Sequence, residues 1–304
     1  MSESLHAPRY WPSWLGIAVW RLIAALPFSA SLAIGRLTGR LLRRAMPGRR
    51  RIAQINLMLC FPELGTAERE RLEIAHFESL GAALAEAALA WWGSRRRVMS
   101  RAHIEGLEHL ETARANGRGV ILLTGHFTPL ELTGRMLGEA VPGITAVYRP
   151  NENPVLDAVA RRGRGRTGYT LRKQQTREIV RALRAGQVIW YAPDQHHRGA
   201  HSAIVPFFGQ PAATSLATSR LAALGRASVV PYLPKRLPDG RGYAVSLLPA
   251  LEDFPSGDPV EDMLRINRIL EQWIRQQPDQ YLWVHRRFKP AEGAALDPYA
   301  GSPD

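Results

Sequence analysis

The chain alternates between short apolar runs and longer amphipathic stretches. Gly119 to Thr124 reads GVILLT, an unbroken apolar run of the length of a strand buried on both faces. Ile144 to Tyr148, Val188 to Ala192, Ser228 to Leu233 and Tyr243 to Leu248 have the same character. Between them lie helical patterns over Pro129 to Leu137, Gln175 to Ala185, Thr214 to Leu224 and Val260 to Gln276. Gly186 and Gly225 stand where two of these helices should stop. A longer helical stretch covers Thr66 to Trp92, before the first strand. Strands alternating with helices imply an α/β fold: a mixed, largely parallel sheet flanked by helices.

The N-terminal pattern is different. Leu15 to Gly35 is apolar over a length that can cross a bilayer, which takes about 20 residues. Arg21 and Pro27 interrupt it. Tyr10, Trp11, Trp14 and Trp20 have the amphipathic character of membrane-interface anchors. Arg36, Arg40, Arg43, Arg44, Arg49, Arg50 and Arg51 follow and suit the anionic cytoplasmic face of a membrane. The expectation is an N-terminal apolar membrane helix, either spanning or lying in the interface. The competing reading is an amphipathic helix packed on the following domain. No cleavable signal sequence is evident. Residues 1–46 are therefore expected to form a membrane anchor with its basic flank, and 47–304 a second domain. The small and polar stretch from Ala291 to Asp304 is expected to be a loose tail.

Charge narrows the partners. The formal net charge is +13 over 304 residues, and Lys173, Lys235 and Lys289 are the only lysines. Arginine suits bidentate contact with phosphates and carboxylates, so an anionic partner is expected. No nucleic-acid module is recognisable, and such a partner would leave the N-terminal apolar segment unexplained. Cys60 is the only cysteine, which excludes an intramolecular disulfide and a cysteine-rich zinc site. His197 and His201 have the four-residue spacing of metal ligands, but Gly199 between them argues against a helix. No metal and no cofactor are expected. Gly163 to Gly168 fits the spacing of a dinucleotide loop but follows a helical stretch, so its confirming context fails. No GxSxG elbow exists, which disfavours a serine acyl-enzyme.

Candidate chemistry sits after the strand at 119–124. His126 and Glu131 flank Thr128 and Pro129, which suit the N-cap and first position of a helix. Glu131 then falls in the first helical turn, and the intervening turn could fold it back to the imidazole. A carboxylate on one ring nitrogen fixes the tautomer and leaves the other as a base for a hydroxyl. Glu131 could equally be only a helix cap, and His126 only a turn residue. Arg149 and Asp194 each follow a strand, near the same edge of the sheet.

A histidine, four residues and an acid after such a strand resemble the motif of the lysophospholipid acyltransferase superfamily. The chain is more narrowly similar to the lipid A late acyltransferases, and to the lauroyl group among them. The likeness rests on PRYWPSWLGI at 8–17, NLMLCFPEL at 56–64, GHFTPLEL at 125–132 and VYRPNENP at 147–154. It continues through WYAPDQ at 190–195, VPFFGQPAAT at 205–214, VVPYLPKRLPDGRGY at 229–243 and QYLWVHRRFK at 280–289. The resemblance implies a glycerolipid acyltransferase-like fold and a catalytic pair of His126 and Glu131. It implies substrate-binding roles for Arg149, Arg164 and Asp194. His196 stands where relatives often carry an acid, so no role is carried over to it. The implied reaction moves a fatty acyl group from acyl carrier protein to a 3-hydroxyacyl chain of a Kdo-bearing lipid A precursor. It is direct transfer in lipopolysaccharide biosynthesis, at the cytoplasmic face of the bacterial inner membrane. Another glycerolipid or a glycolipid is the alternative acceptor.

Overall fold

The computed structural model describes residues 5–115, 117–290 and 297–301. The apolar N-terminal stretch forms two helices, α1 (Trp11–Ala25) and α2 (Phe28–Ala45). Leu26 is extended, as the residue before a proline tends to be, and Pro27 ends the first helix. No helix among the described residues is long and apolar enough to cross a membrane. The single long helix expected over Leu15 to Gly35 is thus corrected to a hairpin broken at Pro27.

Next come α3 (Pro47–Cys60), α4 (Thr66–Trp92) and the short α5 (Arg95–Met99). The hairpin packs directly on α4. A Cβ on Gly39 would sit 2.0 Å from the Phe77 carbonyl oxygen, and one on Gly81 would sit 2.1 Å from that of Gly35. The two backbones touch, which only glycine at these positions permits. Charge fastens the same contact, because Arg43 donates two hydrogen bonds of 2.9 Å to the buried Glu73. Arg50 also reaches Glu73, and Arg40 pairs with Glu78. Part of the expected lipid-binding cluster is therefore spent inside the protein. Arg36, Arg44 and Arg51 are exposed and make no ion pair among the described residues.

The remaining chain builds the sheet: β1 (Ala102–Glu105), α6 (Leu107–Ala115), β2 (Val120–Leu123), α7 (Leu130–Ala140), β3 (Ile144–Tyr148) and α8 (Pro154–Arg164). It continues with β4 (Gly168–Arg172), α9 (Thr176–Arg184), β5 (Val188–Tyr191), β6 (Ser202–Phe207) and β7 (Gln210–Ser215). It ends with α10 (Ala217–Gly225), β8 (Ser228–Arg236), β9 (Tyr243–Leu247) and α11 (Pro259–Gln276). The seven-stranded order is β1-β9-β8-β2-β5-β3-β4. Within this sheet only the β8–β9 pair is antiparallel. The expected mixed, largely parallel sheet is present, while β6 and β7 form a separate hairpin. Thr214 and Ser215, expected to open a helix, instead close β7.

The central strand shows why its sequence has no polar side. Ile121 and Leu123 enter one core with residues of α9, α10 and α11. Val120 and Leu122 enter another with Leu110 of α6 and Leu137 of α7. Burial on both faces requires an apolar residue at every position.

The C-terminal segment is held in place rather than loose where it is described. Tyr299 is buried, its hydroxyl accepts from the Phe288 N–H at 3.0 Å and donates to Asn56 Oδ1 at 2.5 Å. Residues 291–296 and 302–304 of the expected tail lie outside the described residues.

Candidate active site

Strands β2, β5 and β3 run parallel, so their carboxyl ends share one edge of the sheet, the usual ligand crevice of an open α/β fold. His126, Asp194 and Arg149 follow those three strands. The loop carrying His126 is clamped by the segment after α11. Leu282 N–H donates to the His126 carbonyl at 3.0 Å, and Thr128 N–H donates to that of Gln280 at 2.7 Å.

His126 is held by Asp194. The ring Nδ1 donates to Asp194 Oδ1 at 2.6 Å, and the His126 backbone N–H donates to Oδ2 at 2.8 Å. Both carboxylate oxygens thus accept from His126. Burial works to raise the Asp194 carboxyl, but the His126 charge and hydrogen bonds outweigh it, and with the Tyr281 hydroxyl they hold it at about 2. Burial likewise opposes charge on His126, but Asp194 overrides it and raises the imidazole above its ordinary 6.5. Fixing the proton on Nδ1 leaves Nε2 as the free base.

Glu131 does not reach this imidazole, and the expected His126–Glu131 hydrogen bond is corrected on that point. Its carboxylate faces Arg164, whose Nε lies 3.1 Å from Oε1 and whose Nη2 also donates to Oε1. Trp91 Nε1 donates to Oε2 at 3.0 Å. The capping box is absent as well. Thr128 Oγ1 instead meets Ser79 Oγ at 2.7 Å, and Pro129 stands at the N-cap without a side-chain bond. The Arg164 guanidinium also lies over the Tyr148 ring, 5.7 Å from its centre. Gly163 beside it is required by space: a Cβ there would sit 2.4 Å from Trp91 Cγ. The glycine pattern at 163–168 is a helix end and turn against Trp91.

These groups converge on one cavity of about 610 Å³, within the size range of small-molecule sites. Its polar lining includes His126, Glu131, Arg149, Arg164 and His285. Ile144, Ala146 and Trp190 line its apolar wall along one face of β3 and β5. Asp194 sits behind His126, buried at 2% exposure, and does not line this cavity. Its expected place as a substrate contact is therefore corrected to a support for the imidazole. The Arg149 side chain is 72% exposed at the mouth, with Glu152 a distant 3.8 Å away. Local sequence signals missed Tyr281 and His285, because each reaches the site only through the fold.

The molecule is thus an α/β protein in which an imidazole backed by a carboxylate and an arginine–carboxylate pair line one cavity with an apolar wall. A family model described as bacterial lipid A biosynthesis acyltransferase matches residues 1–290. The chain is 39% identical over 290 residues to the lipid A biosynthesis lauroyltransferase of Escherichia coli (strain K12), covering 95% of this chain and 94% of that protein. It is 38% identical to the palmitoleoyltransferase of the same strain, covering 94% of each chain. It is 32% identical to the myristoyltransferase of that strain, covering 98% of this chain and 93% of the other. The chain belongs to the bacterial lipid A biosynthesis acyltransferase family, and it is an acyltransferase.

Proposed function

We propose that this acyltransferase moves a fatty acyl group from acyl carrier protein to the hydroxyl of a 3-hydroxyacyl chain on a Kdo-bearing lipid A precursor. The observation that carries the reading is His126, with Nδ1 bound to Asp194 and the ring lining a cavity with an apolar wall. His126 Nε2 takes the acceptor's hydroxyl proton, and the oxygen attacks the thioester carbonyl carbon. The tetrahedral intermediate collapses, the C–S bond breaks, and His126 returns the proton to the thiolate. Asp194 stabilises the imidazolium formed between those steps. Glu131 and Arg164 act as one unit, with the carboxylate presenting the guanidinium to an anionic part of a substrate. The test is mass spectrometry of lipid A from cells with and without the protein, followed by assay with purified acyl carrier thioester. A lipid A unchanged by removal of the protein would reject the proposed acceptor.

Arg149→Ala should raise KM for one substrate about tenfold, the scale of one charge-assisted contact, and leave kcat unchanged. Steady-state kinetics with each substrate varied in turn checks this. A changed kcat with unchanged KM would move Arg149 from binding into chemistry.

We further infer that the α1–α2 hairpin lies in the membrane interface. Trp11, Leu15, Val19 and Leu22 are exposed along α1, Leu26 just after it, and Ile34, Leu37 and Leu41 along α2. The exposed Arg36 and Arg44 flank them. An exposed apolar face beside arginines suits a helix lying in a headgroup region. On this reading the protein sits on the cytoplasmic face of the inner membrane. Leu15→Asp with Leu22→Asp should weaken binding to anionic vesicles by roughly 10²–10³-fold, from about 2 kcal/mol of burial per leucine. High salt should release far less of the unmodified protein than detergent does. Flotation assays read both outcomes, and release by salt alone would show charge pairing instead of insertion.

A further inference from the structure

A base and a nucleophile do not complete an acyl transfer. Attack on a thioester places negative charge on the carbonyl oxygen, and that charge needs a donor in place beforehand. Arg164, held by Glu131, is assigned to an anionic part of a substrate, and the Nδ1 proton of His126 is taken by Asp194. Two further histidines line the cavity, His196 and His285, and for His285 the geometry places the ring proton.

His285 follows the segment that clamps the His126 loop. Asn56 Nδ2 donates to the Trp283 carbonyl at 2.6 Å and to the His285 carbonyl at 2.8 Å, which fixes the backbone there. The His196 backbone N–H donates to His285 Nε2 at 2.9 Å. A backbone N–H is only ever a donor, so this nitrogen must carry a lone pair. The ring is then neutral and its one proton is on Nδ1. Among the described residues Nδ1 makes no hydrogen bond, and the ring lines the cavity together with His126. The surroundings agree with a neutral ring. Burial pushes its pKa down to about 4; Asp194 opposes this, while His126, Arg287 and His196 add to it.

We infer that His285 is a catalytic residue that donates its Nδ1–H to the thioester carbonyl oxygen and stabilises the oxyanion formed on attack. His126 and His285 hold opposite tautomers. Asp194 accepts from the inner Nδ1–H of His126, which keeps the proton there and leaves a base outward. The His196 N–H takes the lone pair of His285 and leaves a donor. As the acceptor oxygen bonds to the carbonyl carbon, the C=O π electrons move to oxygen, and the acceptor's proton goes to His126. The charge on oxygen then meets the His285 N–H. It returns to the carbonyl when the C–S bond breaks, so His285 transfers no proton.

The inference rests on the proposed acyl transfer, and its test has two independent readouts. With full-length protein and dodecanoyl carrier thioester, His285→Ala should lower kcat about 10²–10³-fold and leave KM within about threefold. His285→Gln can accept from the His196 N–H and still offer an amide N–H, and should recover at least about tenfold over Ala. An Ala variant of unchanged kcat, or one altered only in KM, would overturn the assignment. If Ala fails to fold, Gln decides: activity within about 10²-fold of the unmodified protein supports a donor, and a greater loss argues against one. Nitrogen-15 NMR of histidine-labelled protein reads the tautomer without any turnover. A neutral His285 with its proton on Nδ1 near neutral pH supports the assignment, and a cation or an Nε2 proton rejects it. If the unmodified protein transfers no acyl group, the proposed function falls, while the tautomer measurement still decides the placement of the proton.

Discussion

Asp194→Asn is expected to lower kcat by about 10³–10⁴-fold while the protein stays folded. The carboxylate accepts from both the His126 backbone N–H and its Nδ1. An amide can present only one oxygen to these two donors, and its NH₂ favours the tautomer with the proton on Nε2. The base is then lost even though the ring remains in place. The pH profile separates this from general damage. Asp194 holds the His126 pKa above 6.5, and the base acts only when neutral. The acid limb of kcat/KM should therefore lie above 6.5 in the unmodified enzyme. Without the carboxylate the imidazole loses that support, so residual activity should extend to lower pH. An acid limb left in place in Asp194→Asn would show that another group controls it. His126→Ala should cost about 10²–10⁴-fold and abolish the limb.

Arg236→Ala is expected to destabilise the fold by about 3–5 kcal/mol, the scale for stranding one member of a buried ion pair. Arg236 is 8% exposed and Glu86 1%. The guanidinium donates to Glu86 Oε2 at 2.7 Å and to Ser79 Oγ at 2.7 Å, and Tyr243 adds a bond of 2.6 Å to Glu86. Removing the arginine leaves Glu86 buried against one hydroxyl. Joint replacement, Arg236→Met with Glu86→Leu, should recover much of the loss, because no charge is then stranded. Urea denaturation of the two singles and the double completes the cycle. Additive losses would mean that the two side chains stabilise the fold separately.

The same network explains what the sequence showed and what it hid. Strands at 144–148 and 188–191, and helices at 66–92 and 259–276, are legible because buried faces impose apolar periodicity on their own residues. Edge strands β1 and β4 leave no clear pattern in the sequence, since AHIE and GYTLR are short and half exposed. The capping box failed for a non-local reason. Thr128 has the side chain for the N-cap, but its hydroxyl is taken by Ser79, 49 positions away, and approached by Arg236, 108 positions away. Local turn and helix signals, with the family resemblance, pair Glu131 with His126. The residue that binds the imidazole lies 68 positions on, in a segment brought close by pairing of β2 with β5. His126 was legible as a candidate, but its partner could be chosen only with the topology in hand.

The glycine contact between α2 and α4 sets a mechanical limit. With the backbones touching at Gly35, Gly39 and Gly81, no layer of side chains separates them to act as a bearing. The hairpin cannot pivot like a flexible tether; it moves with the long helix, whose last turn places Trp91 at the cavity wall. Any surface on which the hairpin rests therefore fixes the height and tilt of the cavity mouth above it. On the proposed membrane reading, an acceptor anchored in that surface would meet His126 at one set elevation, and a hydroxyl deeper or shallower on its chain would miss the base. The hairpin would then be a spacer that selects which hydroxyl of the acceptor is reached.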